Sequence, residues 1–280
     1  MEFVKKNAEI YVPDGSDAMA ALKKTTHMAI SAHEDDIEIM AIDGIVKTFM
    51  KGDASFTAVV ATDGAGSARD GKYGDYTDEQ MKAVRVIEQK KAANVGDYGA
   101  LVMLQYSSAE MKNKDDKNYE KDLIKVLDVA RPDVIYTHNL ADKHDSHIAT
   151  VIKTIKALRE MKGYKPKHLY GCEVWRSLDW RLDEDKTAFD VTGFDSLANA
   201  LLGVFDSQIA GGKRYDLATD GRRRANATYY ASHAVDNAEK LAFALELTPL
   251  LDKNVDIVDY ICSYIERFKN DVKSKISKMV

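Results

Sequence analysis

The sequence predicts an α/β protein: a mostly parallel sheet with helices on both faces, followed by a C-terminal extension that completes a cleft. Three observations predict it. Short apolar runs alternate with segments of helical periodicity through residues 25–165. Each helical segment is long enough to cross back over a sheet, as parallel neighbours require. Three charged stretches, "SAHEDD", "ATDGAGSARDG" and "THNLADKHDSH", each follow a predicted strand. In open parallel sheets the ligand lies outside the carboxyl ends of the strands, so this fold would gather all three on one edge.

Taken in order, "THMAISAH" reads as a strand and residues 36–49 as a helix. "FTAVVATDG" is a strand ending in a glycine turn. Residues 78–94 have helical spacing, with Met81, Val84, Ile87 and Ala92 apolar among charged residues. "ALVMLQY" is a strand, 119–130 a helix and "PDVIYTH" a strand, with Pro132 at its entrance where the missing N–H costs little. Residues 144–161 put Ile148, Val151, Ile152, Ile155 and Leu158 on one helical face. In the remainder, "HLYGCEVWRSLDWRL" and "KTAFDVTGF" read as strands, while 197–209, 237–246 and 256–277 read as helices. A single domain over 1–280 is expected, with 25–165 as its βαβ core and 166–280 completing the cleft.

The composition is that of a soluble globular protein: 45% hydrophobic, 30% charged, net charge −5. That balance lacks the basic excess of a nucleic-acid binder. Cys172 and Cys262 form no CxxC pattern, so neither a disulfide framework nor a thiolate metal site is expected. The N-terminus has no apolar run of a signal peptide, and no stretch approaches the ~20 apolar residues of a membrane span. Together these predict a cytoplasmic protein without membrane insertion.

The charge at the end of "MAISAHEDD" needs a physical reason, because crowded carboxylates repel each other and resist desolvation. A bound cation supplies one. His33 and Asp36 are spaced i, i+3, as are His144 and His147 at the start of a later helix, so each pair shares a face. Imidazole and carboxylate together suit Zn²⁺ or another divalent cation. His33, Asp36 and one histidine of the second pair would make three ligands, the number that leaves a position open for catalysis. Asp35 and the other histidine then remain as base and oxyanion donor for a hydrolysis. Against this stands simple capping: acids at a helix N-terminus satisfy free N–H groups and the dipole. Convergence of His33, His138, His144 and His147 at strand ends favours the metal.

"SAHEDDIE" resembles the A-H-P-D-D-E signature of the LmbE/PIG-L-type zinc-dependent N-deacetylases. "VVATDGAG" is similar to that family's T-x-G strand end, "AVRVIEQKKAANVGDYGALVMLQY" to its R-x-x-E-x-x-x-A helix and next strand, and "RPDVIYTHNLADKHDSH" to the strand leading into H-P-D-H. Weaker echoes run through "FDSQI" and "GRRRANATYYASHA", so the likeness spans most of 25–245. The resemblance implies a Rossmann-like sheet and removal of the acetyl group from an N-acetylated amino sugar or conjugate. It implies His33, Asp36 and His147 as zinc ligands, Asp35 as general base, and His144 as a protonated residue facing the oxyanion.

The sequence departs from the family at defined places. Glu34 stands for the family proline and Ile37 for the glutamate after the aspartate pair. Ser146 stands where an aspartate would orient His144, so Asp142 or Asp145 is the expected substitute partner for that ring.

Other stretches add detail. "DGAGSARDGKYGDY" lacks the spacing of a dinucleotide fingerprint and reads as a glycine-rich loop over the cleft, with Arg69 and Asp70 within reach of substrate hydroxyls. Arg85 and Glu88 form either a solvated i, i+3 pair or, by the resemblance, a cleft-facing group. Trp175 and Asp179 are candidates for sugar stacking and hydroxyl binding, while Trp175 and Trp180 equally suit core or interface packing. "GRRRANA" would offer one or two arginines to an anion. The C-terminal helix reads as a solvated face or a homo-oligomer contact. Competing functions are a sugar- or nucleotide-binding protein that kept the fold without turnover, and phosphoester hydrolysis, for which too few acids converge.

Overall fold

The computed structural model describes residues 1–280. Its strands are β1 (Glu9–Tyr11), β2 (His27–Ser31), β3 (Phe56–Thr62), β4 (Ala100–Tyr106), β5 (Val134–His138), β6 (His168–Cys172), β7 (Thr187–Asp190) and β8 (Leu241–Glu246). They form one sheet in the order β1-β4-β3-β2-β5-β6-β8-β7. The run β4-β3-β2-β5-β6 is parallel, with β1 antiparallel to β4 at one edge and β8 antiparallel to both β6 and β7 at the other.

The helices are α1 (Ala18–Lys23), α2 (Asp36–Met40), α3 (Ile42–Thr48), α4 (Asp78–Val95), α5 (Ser108–Lys112), α6 (Asn118–Ala130), α7 (Asp145–Glu160), α8 (Asp195–Gly203), α9 (Asp206–Ile209), α10 (Tyr215–Tyr229) and α11 (Ile257–Ser277). The parallel strands are buried on both faces, which is why they read as continuous apolar runs. Met28, Ile30, Val59 and Val102 face one core with Leu123, Val126, Val151, Ile155 and Ile261. Ala29, Ala58, Val60 and Met103 face the other with Ile37, Ile42, Ile45, Leu201 and Leu202. Gly44 is required in α3, because a Cβ there would stand 2.6 Å from the Tyr136 ring.

The topology sets the site. From β2 the chain moves outward through β3 to β4, then returns to add β5 on the other side of β2. The crevice between the ends of β2 and β5 is therefore a topological switch point, where open α/β sheets bind ligands. No helix is long and apolar enough to cross a membrane.

Several sequence expectations need correction. Residues 237–246 are not helical: Leu241–Glu246 is the strand β8, bonded on both sides. Its Leu, Ala and Glu are strong helix formers, but pairing with a strand on each side outweighs that intrinsic preference. The helix expected over 36–49 is two, with a break at Ala41. The strand read from "HLYGCEVWRSLDWRL" stops at Cys172; beyond it the chain turns, with Leu178 at φ 57°. The edge strand β1 carries no sequence pattern strong enough to announce it.

Candidate active site

Two short segments after neighbouring strands meet at the switch point. After β2 the chain turns through His33, Glu34 and Asp35 into α2. Asp35 takes the left-handed conformation, φ 80°, a strained backbone for a non-glycine residue. Three contacts hold it: its N–H donates to Gln89 Oε1 (3.2 Å), and Arg85 Nη2 donates both to the Glu34 carbonyl and to Asp35 Oδ2 (2.7 Å). After β5, Asp142 Oδ1 accepts the His144 backbone N–H (3.0 Å), and His144 caps the start of α7. One turn on, His147 is carried inward.

The ligand atoms converge. His33 Nδ1 is 3.2 Å from Asp36 Oδ2 and 3.2 Å from His147 Nε2, and His147 Nε2 is 3.4 Å from Asp36 Oδ2. A tetrahedral ion with bonds of about 2.0–2.1 Å holds its ligand atoms roughly 3.3–3.4 Å apart, so this triangle fits Zn²⁺ or a similar divalent cation. His33, His144 and His147 also cluster, as do Asp36, His138 and His147. His138 is less available: its Nε2 accepts the Ala32 N–H at 2.8 Å, and its ring stacks on His147 with centroids 3.8 Å apart. Burial, with His147 alongside, lowers His138 to a pKa of about 4, so it stays neutral.

The remaining electrostatics follow from burial and pairing. Although burial opposes it, the Asp36 and Asp142 carboxylates raise His147 to about 10. Asp36 lies well below the usual carboxylate range, because His147 and His138 outweigh its burial. Asp142 Oδ2 sits 3.1 Å from His147 Nδ1, which orients the ring and leaves Nε2 facing His33 and Asp36. Burial raises Asp35 to about 6 against the pull of Arg85. Arg85 is itself 1% exposed and also bonds Glu88 (3.1 Å), so it belongs to a buried network and not to a solvated face.

A cavity of about 270 Å³ opens over this cluster. Its walls include His33, Asp35, Asp36, Arg85, His144 and His147, the loop 64–68, and Trp175, Gln208, Lys213 and Tyr215 from the C-terminal part. Of the residues expected to bind substrate, Arg85 and Trp175 line it. Arg69 does not: its guanidinium bonds the Ala65 carbonyl (2.5 Å) and Asp78 (2.6 Å). Asp179 is exposed and borders a separate depression with Arg222 and Tyr230. Asp70 caps Gly71. The three adjacent arginines lie in α10 and face elsewhere: Arg222 bonds the Val174 carbonyl, Arg223 closes the end of α2 through the Glu38 and Ile39 carbonyls, and Arg224 pairs with Asp195 and Asp220. Trp180 donates to Glu173 away from the cavity.

The expected partner of His144 is also corrected. The carboxylate of Asp142 serves His147, and Asp145 is exposed beside Ile148 and Lys156 in another groove. No carboxylate bonds the His144 ring. Burial, then His33 and His147, lower its pKa.

The fold and site define an α/β protein with a candidate metal centre at the switch point of its sheet. Residues 28–158 match the family described as PIG-L: GlcNAc-PI de-N-acetylase. No curated protein sequence matches the chain. Among solved structures, the fold is similar to N,N'-diacetylchitobiose deacetylase from Pyrococcus horikoshii, at TM-score 0.64 and 16% identity over 84% of this chain and 88% of that one. It is similar to GalB, the 4-carboxy-2-hydroxymuconate hydratase from Pseudomonas putida KT2440, at 0.63 and 18% over 83% and 100%. It is also similar to the zinc-inhibited form of teicoplanin deacetylase Orf2, at 0.56 and 15% over 79% and 97%.

Proposed function

We propose that the protein is a metal-dependent hydrolase that removes the acetyl group from an N-acetylated amino sugar or sugar conjugate, with a divalent cation held by His33, Asp36 and His147. The observation that carries this reading is the triangle of ligand atoms 3.2–3.4 Å on a side, with a further carboxylate, Asp35, beside it in the same cavity. A site that only binds has no need of that second carboxylate. The match of residues 28–158 to the PIG-L family and the deacetylases among the structural neighbours support the choice of an amide over other bonds.

A cation in this place polarises the amide carbonyl and makes water easier to deprotonate. Asp35 takes the proton of the attacking water. Arg85 fixes one of its oxygens and leaves the other without a protein partner, and a pKa near 6 keeps the group ionised at neutral pH yet basic enough to act. The carbon–oxygen bond forms as the carbonyl oxygen gains charge, and the His144 N–H donates to that oxygen. Burial, His33 and His147 lower the pKa of this ring despite the nearby Asp36 and Asp142, which favours donation from the neutral imidazole. Asp35 then returns the proton to the nitrogen as the carbon–nitrogen bond breaks, giving acetate and a free amine. Asp142 orders His147, and no carboxylate takes over for the His144 ring the role of the family aspartate absent at Ser146.

The test is metal analysis of the purified protein, then acetate release from a panel of N-acetyl sugars and conjugates after chelation and reloading with Zn²⁺, Fe²⁺, Co²⁺ or Mn²⁺ in turn. The zinc-inhibited form of the teicoplanin enzyme is the reason to compare ions. Metal-dependent acetate release with an equal yield of amine is the expected result. Tight sugar binding with no acetate from any metal form would overturn the hydrolase and leave the binding-protein reading.

A further inference from the structure

The charges lining the cavity are paired, with one exception. Asp36 faces three histidines, Asp35 is held by Arg85, and Arg85 is ringed by Asp35, Glu34 and Glu88. Lys213 also lines the cavity, and no carboxylate lies within ion-pair distance of its Nζ. Its ammonium stands over the face of Trp175, 5.4 Å from the ring centroid, and Tyr215 meets the same indole edge-on at 6.0 Å.

The turn that presents Lys213 is fixed by its backbone. Gly211 passes so close to the Ser207 carbonyl that a Cβ would come within 2.3 Å, and Gly212 takes φ +94°. The Lys213 N–H donates to the Gln208 carbonyl (2.9 Å) and the Tyr215 N–H to the Lys213 carbonyl (2.6 Å). The lysine over the indole and Trp175 both line the cavity.

An unpaired ammonium is stable while water covers it. Lys213 is exposed, so its ammonium keeps part of its water when the cavity fills and a neutral ligand gains nothing from it. A carboxylate or phosphate would instead gain a charge-assisted hydrogen bond. Lys213 therefore favours an anionic ligand over a neutral one. The cavity, at about 270 Å³, lies at the small end of ligand pockets and holds about one sugar ring, so a group at Lys213 sits on that ring or immediately beyond it.

We infer that the substrate carries an anionic substituent, a carboxylate or a phosphate, on or next to its acetylated ring, and that Lys213 over Trp175 selects it. This rests on the deacetylase reading for the identity of the ring and adds the charge.

The experiment is calorimetric titration of the metal-loaded protein with N-acetylglucosamine, its 1-phosphate, its 6-phosphate and N-acetylmuramic acid, with acetate measured in the same samples. At least one anionic sugar should bind about tenfold or more tightly than the neutral one, the scale of a single charge-assisted hydrogen bond. Lys213→Met should bring that ratio to within about twofold of unity, while Lys213→Arg keeps most of it. Preference for the two phosphates or for the muramic carboxylate assigns the group. A ratio near one in the unaltered protein, failure of all four to bind, or a preference that survives Lys213→Met overturns the inference. A Lys213-dependent preference without acetate would sink the hydrolase and keep this inference; acetate without a preference would do the reverse.

Discussion

The segments after β2 and β5 and the segments after β6 contribute to one cavity in different ways. The first pair, residues 33–36 and 142–147, brings every proposed ligand, the base and the oxyanion donor. Their positions follow directly from strand order, because each lies within a few residues of a central strand's end. The second group, Trp175, Gln208, Lys213 and Tyr215, forms walls carried on turns and short helices that only packing places. The proposed chemistry is thus tied to the ends of central strands, and the proposed recognition to turns and short helices.

The sharpest way to break that division is to remove a ligand. His147→Ala should lose stoichiometric metal and activity together, and Asp142→Asn, which disturbs only the orientation of His147, should weaken metal binding about 10–100-fold. Chelator competition measures both; metal retained at normal affinity in His147→Ala would move the third ligand to His144 or His138. Next in size is Asp35→Asn, which should bind metal nearly normally yet lower kcat by about 10²–10⁴-fold, since an amide cannot accept the water's proton. Near-normal turnover there would assign the base elsewhere, with Glu34 first in line.

On the recognition side the effects should be smaller and fall on KM. Trp175→Ala removes the platform under Lys213 and should raise KM about tenfold with kcat less affected, a cost of roughly 1.4 kcal/mol. Asp179→Asn, outside the cavity, should leave both constants within about twofold. Equal losses from the two variants would erase the distinction between wall and surface.

The smallest effect concerns stability. Burial raises Glu38 to about 7, with Gln89 and Tyr98 both donating to Oε1 and nothing bonding Oε2. The folded state therefore holds this proton more tightly than the unfolded chain does, whose ordinary value is about 4.3. Stability from Glu38 is present below pH ~4.3 and is lost as pH rises to about 7. Glu38→Gln should match the unaltered protein in stability near pH 4 and exceed it at pH 8 by about 1–3 kcal/mol, read as a rise in Tm. A constant difference across that range would show that Glu38 keeps an ordinary pKa.

Sequence and structure agree most closely where local pattern and sheet topology coincide. The strands β2 to β6, the helices α4, α6, α7 and α11, and the meeting of "HEDD" with "HDSH" could all be read from apolar runs, helical spacing and strand-end charge. What escaped reading depended on distant neighbours. Leu241–Glu246 becomes a strand because two other strands flank it. Asp142 could be singled out by its nearness to His144, but only the fold shows that its carboxylate turns to His147 instead. Arg69 looked free until Asp78 lay beside it. Nothing distinguishes Lys213 within a sequence of 40 bases; its meaning arises from the absence of an acid nearby in space.

One buried chain of contacts joins the two regions. Asp35 is held by Arg85, Arg85 by Glu88, and Glu88 accepts both the N–H (2.6 Å) and the hydroxyl (2.7 Å) of Ser207, at the foot of the turn that bears Lys213. The consequence is for how such a site can diversify. Positions 213 and 175 can drift and re-tune which sugars are accepted while the base keeps its aim. Position 207 cannot, because any residue there that abandons Glu88 sends the disturbance back along the same contacts to the proton acceptor. New specificities should therefore be reached from the rim inward, and Ser207 should be the point where that exploration stops.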